Sequence, residues 1–190
     1  MNKRTIGDGP ISKLNPSQQN LFDASKLIGQ MITKSFGPFG LEKLTVNNYG
    51  DAFIIRDGKS ILEKANLDHP IAKLMLDLAE TITKHVGDGS MSAILLTSFL
   101  LDQARINIEK GIHPNTIIDG YEKSFEFSLD ILDSIRFPIE TRSQWHNLVY
   151  SSLSSKFGKN ESEKLSRLTV EAISSIDYNF RDYTSPDYVN

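Results

Sequence analysis

Glycine and proline recur along this 190-residue chain between apolar segments, and these breaks confine it to short helices joined by turns. Before Gly37-Pro38, apolar residues recur at helical spacing, which predicts a helix with Ser17 as its N-cap. The same reasoning predicts further helices through Ile61 and Leu62, from Pro70, from Ser90 to Gly111, from Pro114 to Ile135 and over 161–176, with an amphipathic stretch at Trp145–Leu153.

Two segments depart from the helical pattern. Leu44–Val46 and Phe53–Ile55 flank the turn-rich residues 47–51, which predicts a β-hairpin. The sequence from Ser90 to Leu101 is apolar on nearly every side, so we expect that helix at the centre of its domain. The fold class is therefore mainly α with a small β-hairpin (α+β).

Charge and composition exclude several classes of function. The net charge of −3, without a basic stripe, argues against nucleic acid or an anionic membrane as a partner. The apolar run Ala93–Leu101 is far shorter than the roughly 20 residues of a membrane span. The chain has no cysteine, so disulfides and thiolate metal sites are excluded. We expect a cytoplasmic protein.

Three glycine-bearing loops carry the possible chemistry: Ser35–Gly40, Arg56–Gly58 and Gly87–Ser92. Glycine lets backbone N–H groups approach a phosphate, and a helix N-terminus favours the anion. A neighbouring carboxylate can hold Mg²⁺ together with phosphate oxygens. Each loop alone is also explained by helix capping or a turn, and none matches the Walker pattern. From the residues alone, both interpretations stay open.

Taken in order, several segments resemble the group II chaperonins, the family of the archaeal thermosome and the eukaryotic cytosolic chaperonin (CCT or TRiC). The segments that carry the resemblance are Ser35–Leu44, Ile55–Leu62, Asp68–Lys73, Val86–Ser90, Gly111–Pro114 and Ile118–Tyr121. Lys34–Lys43 and Ser151–Lys156 are most similar to the alpha-type subunits of CCT.

The resemblance implies a division of the chain into two segments. Residues 1–141 would be the N-terminal half of an equatorial ATP-binding domain. Residues 142–190 would be the first segment of an intermediate domain, beginning with a strand near Arg142. The apical domain and the C-terminal equatorial half would be absent, and the end at Asn190 reads as severed.

The resemblance also implies roles for individual residues, with ATP and Mg²⁺ as ligands. Asp88 would hold Mg²⁺, and Asp57 would be the catalytic residue near the γ-phosphate. Nucleotide contacts would come from Ser35, Gly37, Pro38, Gly89, Ser90, Met91, Ser92 and, in the intermediate segment, Lys156. Three positions depart from the family pattern: Phe39 replaces a lysine, His85 a glutamate and Met91 a threonine. We expect nucleotide binding with weakened turnover.

Three functional hypotheses follow. In the first, the chain belongs to an ATP-hydrolysing chaperonin subunit whose partners are other subunits of a double ring and unfolded client proteins. In the second, it is a non-catalytic ring component that binds nucleotide poorly. In the third, it is an unrelated small phosphate-binding enzyme.

Overall fold

The computed structural model of the chain describes residues 14–37, 39–46, 50–55, 57–65 and 67–176. They form α1 (Pro16–Thr33), β1 (Lys43–Val46), β2 (Ala52–Ile55), α2 (Gly58–Ala65), α3 (Pro70–His85), α4 (Ser90–Glu109), α5 (Pro114–Ile135), α6 (Arg142–Leu153) and α7 (Lys159–Ile176). The predicted fold class, mainly α with a small hairpin, is confirmed. The severed end predicted at Asn190 lies outside the described residues.

These residues divide into two compact units. The first comprises the described parts of Met1–Phe36 and Gly40–Phe127, and the second comprises those of Gly37–Phe39 and Ser128–Asn190. The division falls within α5, whereas the predicted boundary between equatorial and intermediate segments at residues 141/142 stays a prediction. No helix in the described ranges has both the length and the apolar character needed to cross a membrane.

The start of α1 differs from the prediction that Ser17 caps it. The N-cap is Asn15, whose side chain accepts a hydrogen bond from the Gln18 N–H at 2.9 Å. The Gln18 side chain in turn accepts from the Asn15 N–H at 3.0 Å, which completes a capping box. Pro16 then occupies the first helical position, where its missing N–H costs nothing.

Two helices begin at a His-Pro dipeptide, and in both the histidine side chain acts as a cap. Nδ1 of His69 accepts from the Ile71 N–H at 3.3 Å. Nδ1 of His113 accepts from the Asn115 N–H at 3.2 Å. Each histidine therefore satisfies one N–H that its helix leaves without an internal acceptor.

The predicted hairpin is present in the first unit. β1 and β2 are antiparallel, with Lys43 opposite Ile55 and Val46 opposite Ala52. The Nζ atom of Lys64 in α2 lies 4.8 Å from the centre of the Phe53 ring. This cation–π contact ties the hairpin to α2.

The core of the first unit lies between α1, α2, α3 and the inner side of α4. Its largest fully buried apolar side chains are Ile32, Ile61, Met75 and Ile94. The prediction that α4 is buried on every side is wrong for this chain, because Leu96 is 61% exposed and Phe99 60% exposed. Helices α1, α2 and α3 cover one face of α4 only.

Two further contacts fix the neighbours of α4. At its crossing with α1, the Ser98 hydroxyl donates to the backbone carbonyl of Ser25 at 3.0 Å. In α5, the Tyr121 hydroxyl donates to the carbonyl of Leu100 at 2.6 Å. Partial burial raises the pKa of Tyr121 above its ordinary value.

In the second unit, α6 and α7 pack against each other. The strand expected near Arg142 is wrong, because Arg142 begins a helix. The Thr141 side chain accepts from the Gln144 N–H at 3.2 Å and forms a second capping box, which commits the following residues to helical geometry. The contact between the helices is polar, since the hydroxyl of the buried Ser166 lies 2.8 Å from Nε2 of His146.

Candidate functional site

The turn between α3 and α4 leads into the N-terminus of a long helix, whose first residue, Ser90, is buried. Gly87 and Gly89 have φ angles of 88° and 93°, a left-handed geometry that side chains disfavour. Gly89 is the N-cap of the 20-residue α4, and within the described residues no side chain caps it. The carboxylate of Asp88 accepts from the Gly89 N–H at 2.8 Å and lies exposed beside the helix end.

The first turn of α4 supplies a row of backbone donors. The first internal hydrogen bond of the helix runs from the Ala93 N–H to the Gly89 carbonyl at 3.0 Å. The N–H groups of Ser90, Met91 and Ser92 precede it and therefore require acceptors outside the helix. Together with the helix dipole, such a row favours an anion.

The second loop places Asp57 at the N-terminus of α2. One carboxylate oxygen accepts from the Lys59 N–H at 3.0 Å and the other from the Ser60 N–H at 3.2 Å. Each oxygen retains a second lone pair, so the carboxylate can also accept a hydrogen bond from a water or metal-bound ligand.

The Asp57–Gly58 turn and the first turn of α4 meet through Gly58 and Met91. A methyl group built on Gly58 would lie 3.0 Å from Met91 Cγ and 3.2 Å from Met91 Cα. The Asp57 turn therefore lies directly against the first turn of α4. Of the residues predicted to bind nucleotide, the structure brings Asp57 and the Asp88–Ser92 segment together.

The remaining loop follows α1. The Leu41 N–H donates to the Lys34 carbonyl at 2.8 Å and closes the loop. Ser35 is 5% exposed, and its hydroxyl oxygen has no hydrogen-bond partner among the described residues. A buried hydroxyl without a partner is costly, so this oxygen is free to hydrogen-bond a group outside the described residues. Gly37 has a φ of 84°, and Pro38 lies outside the described residues.

Lys156 belongs to the second unit, in the turn that follows α6. Its side chain is exposed, and its backbone N–H donates to the Leu153 carbonyl at 2.8 Å. The role expected for Lys156 at the nucleotide therefore stays a prediction. The same is true of the functional roles expected for Ser35, Gly37, Asp57 and Asp88.

The described residues contain no group of three or more histidine or acidic side chains that could hold a metal ion. A Mg²⁺ ion at Asp88 would therefore need oxygens from another source. Magnesium in nucleotide sites is commonly held by one or two carboxylates, phosphate oxygens and waters, and a single exposed carboxylate beside the N–H groups of a helix N-terminus fits that mode.

Sequence reasoning missed the contact between Gly58 and Met91. The phosphate contact expected for Met91 stays a prediction, and its side chain packs partly buried against Gly58 and the core. Only its backbone N–H belongs to the row of donors. No spacing rule could have found this contact, because it joins two separate helices.

The first unit is mainly α, and its glycine turns lie at helix N-termini, where an anion can be accepted. Comparison with known proteins identifies the family to which such a unit belongs. The TCP-1/cpn60 chaperonin family matches residues 28–185. Thermosome subunit alpha of Sulfurisphaera tokodaii is 36% identical over 163 residues, and thermosome subunit gamma of Saccharolobus shibatae is 40% identical over 157 residues.

The chain belongs to the TCP-1/cpn60 chaperonin family, and its thermosome relatives place it in the group II branch. Each alignment covers 80% of this chain, while the chain spans 29% of the length of these curated relatives. The special likeness to alpha-type CCT subunits stays a prediction.

Proposed function

We propose that this chain is the nucleotide-binding N-terminal part of a chaperonin subunit that works in a cytoplasmic double ring and assists the folding of unfolded proteins through ATP binding and hydrolysis. The observation that carries the proposal is the N-terminus of α4, with its left-handed Gly89, its row of uncapped N–H groups and the adjacent Asp88. An uncapped helix end alone is a weak indication of a binding site. Membership of the chaperonin family is what favours a nucleotide site here.

In this proposal, the phosphates of ATP accept hydrogen bonds from the N–H groups of Ser90, Met91 and Ser92. The buried Ser35 hydroxyl donates a further hydrogen bond, which supplies the partner that it lacks among the described residues. Gly37 and Pro38 would contribute further nucleotide contacts, as the resemblance implies. Asp88 would hold Mg²⁺, which neutralises phosphate charge when bound.

Asp57 would lie near the γ-phosphate and the shell of its metal ion. In hydrolysis, the oxygen of a water forms a bond to the γ-phosphorus, the bond from that phosphorus to the bridging oxygen of ADP breaks, and the water proton passes to the released phosphate. The hydrogen bonds from Lys59 and Ser60 fix the direction of the carboxylate. Positioning of groups in this way is a main contribution that a protein makes to phosphoryl transfer.

Lys156 would sense the γ-phosphate from the intermediate segment. A side chain that reaches the nucleotide in one conformation only shifts the equilibrium toward that conformation. We therefore expect Lys156→Ala to leave ATP affinity nearly unchanged and to weaken the closure of the ring.

The site is tested by substitution of Asp88 in the complete subunit. Calorimetric titration with ATP, in Mg²⁺ and again in EDTA, should show Mg²⁺-dependent binding that Asp88→Ala abolishes. Asp77→Ala, on the exposed surface of α3, is the matched control and should bind as the unaltered subunit does. Unchanged Mg²⁺-dependent binding in the Asp88 variant would refute the assignment. Binding without release of phosphate from ATP would instead indicate a non-catalytic ring component.

A further inference from the structure

The N-terminus of α2 lies so close to α4 that a side chain at residue 58 would fit only if its neighbours shifted by a few tenths of an ångström. Gly58 is buried, and a methyl group there would meet Met91 Cγ at 3.0 Å, Ile94 Cδ1 at 3.1 Å and Met91 Cα at 3.2 Å. The Met91 side chain therefore forms part of the surface on which the first turn of α2 rests.

The carboxylate of Asp57 is held by that same turn. Both its oxygens accept N–H hydrogen bonds from Lys59 and Ser60, and the Ile61 N–H donates to the Asp57 carbonyl at 3.0 Å. The carboxylate thus moves together with the start of α2. Any side chain that fixes this turn relative to α4 also fixes Asp57 relative to the N–H groups of Ser90, Met91 and Ser92.

Other contacts hold α2 farther along its length. Ile61 and Leu62 are buried in the core, at 2% and 4% exposure, so the helix persists when Met91 is altered. Lys59 Nζ lies 3.4 Å from Glu63 and 3.8 Å from Glu80, but these partly exposed pairs are long and weak. Ile94 also contacts Gly58 but is fully buried in the core, so its substitution would disturb the whole unit. Met91 is only partly buried and is therefore suited to position the first turn without deciding whether α2 forms.

We propose that Met91 is a positioning residue, whose side chain holds the Asp57–Gly58 turn against the N-terminus of α4 and so fixes the catalytic carboxylate relative to the bound phosphates. The inference rests on the proposed function. Its consequence is that the side chain of Met91 affects the rate of ATP hydrolysis, whereas its backbone N–H group affects the binding of ATP.

The first test is hydrogen exchange in nucleotide-free complete subunits, which requires no activity. Met91→Ala should raise the exchange rate of the Lys59 and Ser60 amides about tenfold, since their acceptor turn loses its support. Met91→Leu, which keeps the volume, should exchange as the unaltered protein does. Met31→Ala removes the same atoms from another place on the same core and should leave these two amides unchanged. Met91→Thr cannot separate two effects, because it removes the contact with Gly58 and also adds a hydroxyl.

The second test is turnover in assembled rings. Met91→Ala should lower kcat about tenfold while the Kd for ATP stays within about twofold, and Met91→Leu should restore kcat. In an Asp57→Asn background, the further loss on Met91→Ala should disappear, because two residues that act through one group are not additive.

Unchanged exchange of Lys59 and Ser60 in Met91→Ala would overturn the inference, as would a loss of turnover that persists in the Asp57→Asn background. Failure of the rings to bind ATP at all would refute the proposed function instead. The exchange measurement would still decide whether Met91 supports the turn.

Discussion

Replacement of Gly29 by alanine should destabilise the first unit, although alanine is the better helix former. Gly29 is buried in α1 where it crosses α4, and a methyl group there would lie 2.7 Å from Ser98 Cβ and nearer still to Ser98 Oγ. The two helices cannot keep their present separation with this methyl group in place. The Ser98 hydroxyl, which donates to the Ser25 carbonyl at 3.0 Å, would also be displaced.

The expected magnitude combines three effects. Overpacking of a well-packed contact costs about 2 kcal/mol. Loss of the buried Ser98–Ser25 hydrogen bond costs about 1 kcal/mol more. The helix propensity of alanine returns about 1 kcal/mol. The net loss is about 2 kcal/mol, which lowers the urea midpoint by about 1 M at a typical slope of about 2 kcal/mol/M.

The assay is urea unfolding followed by circular dichroism, with hydrogen exchange of the α1 amides as the measure specific to the first unit. Gly120→Ala is the matched control, because nothing lies within 4 Å of its added methyl group. We expect that control to stabilise α5 by about 0.5–1 kcal/mol. If Gly29→Ala raised the midpoint as Gly120→Ala does, the close approach of α1 and α4 would be refuted.

Three further outcomes follow from particular contacts. Asn15→Ala should speed exchange in the first turn of α1 through loss of about 1 kcal/mol of capping, and Ser17→Ala, at the position expected from sequence, should not. Phe99→Glu should reduce self-association of the isolated chain in sedimentation velocity, because it interrupts the exposed apolar face of α4. The hydrogen bond and charge of Lys73 lower the pKa of Asp68, and Asp68 in turn raises the pKa of Lys73. The contribution of Asp68 to folding stability is therefore present above its ordinary pKa of 3.8 and is lost as pH falls through the lowered pKa. NMR titration of Asp68, with and without Lys73→Met, will measure this lowering of the pKa.

Element type was predictable from sequence wherever a local rule operates. Proline at the first position of α3 and α5, and the alternating segments around residues 47–51, decide those elements within a few residues. The start of α1 was misplaced by two residues because Ser17 and Asn15 are both good caps, and only the reciprocal contact with Gln18 distinguishes them. The strand near Arg142 was expected from the resemblance alone. The local sequence instead favours a helix, because Thr141 and Gln144 form a capping box.

Features that depend on packing between elements were not predictable. The burial of α4 was overestimated because an apolar sequence shows that a helix can be buried but not which elements cover it. The described helices cover only one face of α4. The placement of Asp57 beside the α4 N-terminus requires the contact between Gly58 and Met91, which no periodicity encodes. The glycine-bearing loops could be singled out because glycine permits the left-handed backbone that the structure has at Gly37, Gly87 and Gly89. Their role in phosphate binding stays a prediction.

Phe39 offers a separate test of the site, because the resemblance places a lysine at this position. Its side chain is 94% exposed, so Phe39→Lys removes little packing, and any change in nucleotide affinity reports the added charge. An ammonium group about 4 Å from a phosphate in water contributes about 1 kcal/mol, which corresponds to about a fivefold gain in ATP affinity at low salt. The gain should shrink in 0.5 M salt because the charge is screened. Phe39→Gln removes the ring without adding charge and is the control, measured by the same titration of complete subunits. Equal affinities for the lysine and glutamine variants at low salt would show that residue 39 does not approach the phosphates.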